Sequence, residues 1–137
     1  MYGAFLQRDI VKTRIIHTKF WDDDVVENFS PWAKYLFLYL LTNHRIGLTG
    51  VYEITDRVML FDTGLSKDQL NEAKEELQAA DRVRFYENWV YVVNAQKNNG
   101  YFGEKLDPAV KKEFNRIPKG ILDTLSIHYL SGSDLLD

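Results

Sequence analysis

The chain has 137 residues, 45% of them hydrophobic and 14% aromatic, which is enough for one globular domain with a real core plus an arm or tail. Its formal net charge is −3, and the absence of cysteine excludes disulfides and thiolate metal sites. The longest apolar run, Tyr35 to Leu41, is far short of a membrane span, and MYGAFLQRDIVKTR lacks the uninterrupted apolar stretch of a signal peptide, so a soluble, cytoplasmic protein is expected.

In chain order, residues 1–12 form an arm, and TRIIHTKFW (13–21), rich in β-branched residues, predicts a strand ended by Asp22, Asp23 and Asp24. That acidic triplet suits the first turn of a short helix, DDDVVENF, because carboxylates favour the positive end of the helix dipole. Ser30-Pro31 is a strong helix start, and in WAKYLFLYLLTN Leu36 and Leu40 lie one turn apart on a helix apolar on most sides, which marks it as central. GVYEI (50–54) reads as a short strand, and Thr55 caps a helix in TDRVMLFDT.

Gly64-Leu65 is a turn. Ser66 with Gln69 makes a capping box, and Leu70, Ala73, Leu77 and Ala80 form the buried stripe of a third helix, Ser66 to Asp81. RVRFY (82–86), a Glu87-Asn88 turn and WVYVVNA (89–95) predict a β-hairpin. QKNNGYFGEKL reads as a loop. DPAVKKEFNRI carries Val110, Phe114 and Ile117 at helical spacing, so a helix is expected to about Pro118. Residues 118–137, ending SGSDLLD, are expected to be a linker or tail. Helix, strand, helix, turn, helix, hairpin is the order of an α+β winged helix-turn-helix, here over 13–117 with an N-terminal strand, a two-stranded wing and a C-terminal extension helix.

The acid is unevenly placed. Residues 50–95 carry five Lys/Arg against nine Asp/Glu, and from Ser66 to Asp81 Lys67 and Lys74 face Asp68, Glu72, Glu75, Glu76 and Asp81. A helix entering a DNA groove meets a polyanion, so this composition is unexpected for a recognition helix.

RIIHTKFWDD, SPWAKYLFLYLLTN, GVYEI, TGLSKDQLNEAKEEL and NWVYVVN, in that order, resemble the N-terminal winged-helix domain of phage and prophage replication-initiation proteins, the replisome organisers related to the bacterial primosomal DnaD type. The resemblance implies a module that binds a phage replication origin as double-stranded DNA in a bacterial host cell and recruits helicase-loading proteins. A homodimer or higher oligomer is compatible with it. In that family a linker and a further C-terminal region follow, so the chain resembles a truncated or short member. No individual base contact carries over from the resemblance.

The residues themselves nominate the contacts. The first two turns of the third helix offer Lys67, Gln69, Asn71 and Lys74, the positions where DNA-reading helices touch bases. Phosphate contacts are expected from Arg82 and Arg84 on the first wing strand and from Lys12, Arg14 and Lys19 on the arm and N-terminal strand. The competing role for such cations is to blunt exposed strand edges. His17, His44 and His128 lack ligand spacing, and no nucleophile motif or Gly-rich phosphate loop occurs, so neither a metal, a cofactor nor catalysis is expected. Trp32, Tyr35, Phe37 and Tyr39 at helical spacing suit a core better than a base-stacking platform. The alternative function is an oligomerisation or protein-docking domain without direct DNA binding, which the acidic third helix favours.

Overall fold

The computed structural model describes residues 13–93 and 108–125. Helix α1 spans Pro31–Thr42, with proline in its first turn and the Ser30 hydroxyl accepting from the Ala33 amide at 3.1 Å. It buries Ala33, Leu36, Phe37, Leu40 and Leu41, and Leu36 and Leu40 have no exposed surface. Burial of each such leucine contributes about 1.5–3 kcal/mol. The helix ends at Asn43, whose side-chain amide donates to the Tyr39 carbonyl at 3.0 Å and to the Tyr52 hydroxyl at 2.8 Å. Tyr52 in turn donates to the Leu40 carbonyl at 2.7 Å, so a buried polar chain closes the end of α1. Burial pushes the Tyr52 phenol pKa up, holding it neutral as a donor.

Strand β1 is Val51–Glu53, helix α2 is Asp56–Thr63 and helix α3 is Lys67–Ala79. Thr55 caps α2 by accepting from the Val58 amide at 3.2 Å. The capping box of α3 is formed in both directions: Gln69 N–H donates to Ser66 Oγ at 3.1 Å, and Ser66 N–H donates to Gln69 Oε1 at 3.0 Å. Strands β2, Val83–Tyr86, and β3, Trp89–Val92, form the hairpin. β1 joins it to give, among the described residues, a three-stranded antiparallel sheet of order β1-β3-β2. Val51 pairs with Tyr91, and Arg84 pairs with Tyr91 from the other side. The Ile54 amide donates to Asn88 O at 2.8 Å, tying β1 to the tip of the hairpin. Helices α4, Pro108–Arg116, and α5, Lys119–Thr124, complete an α+β fold.

Alternation along the strands sends two sets of side chains to opposite faces. One face, with Tyr52, Val83, Val90 and Val92, meets α1, α2 and α3 in the larger core around Leu36, Leu40, Leu70 and Leu77. The other, with Val51 and Tyr91, is covered by Val110, Phe114, Ile117, Leu122 and Leu125 in a second, smaller core. The sheet is therefore the middle layer between two sets of helices.

Three expectations need correction. Residues 13–17 form no strand, and Thr18–Asp22 is a turn of 3-10 helix. Burial does alternate from Thr13 to His17, as the residue pattern implies, but the segment joins no strand ladder among the described residues. β propensity reflects a fit to a half-buried surface, and Ile16 and Phe20 find that surface on the larger core. Next, the helix expected in DDDVVENF is only a 3-10 turn, Val26–Asn28, although Asp23 does cap its start by accepting from the Val25 and Val26 amides at 2.8 and 3.1 Å. Finally, the expected tail from residue 118 begins instead with α5, because Leu122 and Leu125 bury against the second sheet face. The expected arm at 1–12 and the remainder of the tail, 126–137, lie outside the described residues.

Candidate nucleic-acid interface

The candidate interface is built from α2, a tight turn, α3 and the hairpin. Gly64 makes the turn with φ 74°, a left-handed conformation that glycine adopts without steric cost, and its amide donates to Leu60 O at 2.9 Å. The side chain of Thr63 then accepts from the Leu65 amide at 3.2 Å, and Ser66 starts α3. α3 packs chiefly on α1 and on β2 through Leu70, Ala73 and Leu77. Asp81 and Glu87, at the two ends of β2, also have positive φ, 56° and 51°.

Side-chain partners divide the candidate residues sharply. Lys67 and Asn71 are exposed on the first turns of α3. Gln69 is half-buried with its carbonyl committed to the capping box. Lys74 is not outward: its ammonium contacts Asp56 at 2.9 Å and lies 5.0 Å from the centre of the Phe85 ring.

Arg82 makes a two-pronged pair with Asp23, at 3.0 and 3.1 Å. The Arg82 guanidinium, followed by the backbone amides of Val26 and Val25, holds the Asp23 carboxyl below its ordinary value of 3.8 against the opposing effect of burial. Arg84 grips Asp81 at 2.7 and 3.0 Å, donates to Leu125 O at 2.8 Å and lies over the Tyr91 ring at 5.6 Å. Arg84 likewise lowers the Asp81 carboxyl pKa. Arg14 donates to the carbonyls of Ile46 and Gly47, both at 3.1 Å. Lys19 is exposed beside a cavity of about 300 Å³ that it lines together with Phe20, Phe37 and Arg82. Lys12 lies outside the described residues.

Arg14, Lys74, Arg82 and Arg84, expected as DNA contacts, therefore each serve a joint within the fold. Each already has an internal partner, and a guanidinium held in a bidentate carboxylate pair gives up that pair before it meets a phosphate. The reason is topological: the strand face that carries Arg84 is covered by α5, and Arg82 points to the 3-10 turn. Neither placement is visible from β alternation.

The acidity of α3 has a similar explanation. Glu76 accepts from both the amide and the hydroxyl of Ser30, at the start of α1. Glu72 accepts from the Trp32 indole N–H at 3.1 Å. A carboxylate at a helix start is favourably placed against the dipole and the unpaired amides there. Two of the acids of α3 thus join α3 to the beginning of α1. Glu75 and Asp68 are exposed.

A further polar joint had no signal in local sequence. Glu113 on α4 accepts from the Leu48 and Thr49 amides at 3.0 and 2.7 Å, while Arg14 holds the carbonyls just before them. A Cβ at Gly47 would meet the Glu113 carboxylate, so a larger residue there requires the end of that side chain to shift.

Among the described residues, no three His, Asp or Glu side chains gather as metal ligands, and no helix is long and apolar enough to cross a membrane. No family model, no curated protein and no solved structure matches the chain.

Proposed function

We propose that this chain is a winged-helix DNA-binding module of a replication-initiation protein of the phage replisome-organiser type, acting without catalysis and recruiting helicase-loading proteins. The observation that supports it is the succession α2, Gly64 turn, α3 and hairpin, with Lys67 and Asn71 exposed on the first turns of α3. Asparagine pairs with adenine and lysine with guanine or phosphate at such positions. The engagement of Glu72 and Glu76 with the start of α1 gives part of the acidity of α3 a structural role. Fluorescence-anisotropy titration of labelled duplexes at several salt concentrations tests the reading. Binding should weaken with salt, and Lys67→Ala with Asn71→Ala should reduce sequence preference. Glu75→Gln should tighten binding, most at low salt. Absence of salt-dependent binding to any duplex overturns the proposal.

A second reading, as an oligomerisation or protein-docking domain, is favoured by one specific feature. Phe61 on α2 is 86% exposed and presents a large apolar ring that a protein partner could cover. Sedimentation of the parent and of Phe61→Ser distinguishes this role: loss of self-association with unchanged DNA affinity supports it.

A further inference from the structure

A cluster of free positive charge lies away from α3. On α4, Val110 and Phe114 face the second core, and Ile117 follows them there. Lys112 and Arg116 lie one turn apart and exposed on the opposite side, and Lys119 is exposed at the start of α5. Like charges at this spacing repel, and Arg116 in the last turn is in part offset by the negative end of the helix dipole. Two acids lie on α4 and α5. Glu113 is turned onto the Leu48 and Thr49 amides, which leaves Asp123 as the only acidic side chain facing outward on these helices. Among the described residues Lys112, Arg116 and Lys119 enter no ion pair, in contrast to Lys74, Arg82 and Arg84.

We propose that the outer face of α4 and α5, formed by Lys112, Arg116 and Lys119, is a binding surface for the phosphate backbone of duplex DNA, separate from α3. α4 and α5 cover one side of the sheet and α3 the other, so the two surfaces do not share a groove. The contact is electrostatic and independent of sequence, because long cations on an exposed helix meet phosphates without reading base edges. It rests on the reading of the chain as a DNA-binding module, and it assigns most of the affinity to a different face from the one expected to read bases.

The test is anisotropy of the full chain with a labelled duplex of about 30 base pairs, long enough to exceed one site, in random and selected sequences. The variants are Lys112→Gln with Arg116→Gln and Lys119→Gln, and separately Lys67→Ala with Asn71→Ala. All five positions are exposed, and an unchanged melting curve verifies folding. The triple variant should lose about tenfold or more in affinity for every duplex at low salt, and its salt slope should flatten by about 0.9 for each phosphate that is no longer neutralised. Lys112→Arg should retain binding. If the triple variant keeps the parent's affinity and slope while the α3 variant loses binding, the α4 surface is excluded and the proposed function stands. If the triple variant loses binding and the α3 variant does not, the α4 surface stands and recognition through α3 falls. A parent that binds no duplex removes both. A parent whose triple variant loses affinity only for phosphatidylserine vesicles, with DNA binding intact, also overturns the DNA assignment.

Discussion

The two faces of the sheet are covered in different ways. On the first, α1 and α3 supply regular stripes of apolar residues, and nearby cations and acids become polar joints between elements: Lys74 with Asp56, Glu76 with Ser30, Arg82 with Asp23. On the second, two short helices from the end of the described chain rest on Val51 and Tyr91, and they are anchored by Glu113 to one loop and by Arg84 to the Leu125 carbonyl. Both faces tie charge into the fold, and the outer side of α4 in addition leaves Lys112 and Arg116 exposed without an ion pair among the described residues. A basic residue on this molecule is therefore available to an anionic partner only where tertiary packing has not already supplied it with an acid.

The largest expected effect tests whether the second face belongs to the same cooperative unit as the first. Phe114 is fully buried there, and Phe114→Ala should cost about 3–5 kcal/mol in a single thermal or denaturant transition. Two separated transitions would show that α4 and α5 unfold on their own and would break the comparison into two independent parts. Leu40→Ala, on the first face, should cost about 2–5 kcal/mol, again in one transition. A melting temperature within a degree or two of the parent would mean that α1 is not the centre of the larger core.

A smaller effect comes from the joints. Glu76→Ala leaves the Ser30 amide without its carboxylate and should cost about 1–3 kcal/mol, measured by urea unfolding. Ser30→Ala with Glu76→Ala should show clear coupling in a double-mutant cycle, and strictly additive effects would deny that the acidity of α3 serves the start of α1.

The smallest effect is the acid response. The folded pKa values of Asp23 and Asp81 are depressed, so their unfolded states bind protons more readily. Their contribution to stability is present above the unfolded value near 3.8 and is lost as pH falls through the folded pKa values. The melting temperature of the parent should therefore drop below about pH 4, and the drop should shrink in Asp23→Asn. Equal acid sensitivity in the two proteins would rule out the Asp23–Arg82 pair as a source.

Much of the fold could be read locally because its causes are local. Ser30-Pro31, Thr55 and the Ser66–Gln69 box each act within one helical turn, and the stripe Leu70, Ala73, Leu77 needs only the helical period. The hairpin follows from alternation around Glu87-Asn88. The strand expected at 13–21 fails because a strand requires a ladder, and the sheet of the described residues does not include that segment. α5 was obscured by Gly120 and by the Ser, Gly and Asp residues that follow, whose turn chemistry outweighs two leucines until Leu122 and Leu125 are seen against Phe114.

For the candidate interface, local pattern identifies which side chains are cationic and which helix face they share. The exposure of Lys112 and Arg116 opposite Val110 and Phe114 follows from the 3.6-residue period alone. The fate of Arg14, Lys74, Arg82 and Arg84 does not, because each meets a carboxylate, a carbonyl or an aromatic ring brought near by the topology. Sequence by itself determined α1 to α4, the hairpin and the sign of every charge, since these depend on neighbours along the chain. Only the tertiary structure decided which charges remain outside, since an ion pair forms between residues as far apart as Asp23 and Arg82 once the sheet and helices have set their distance.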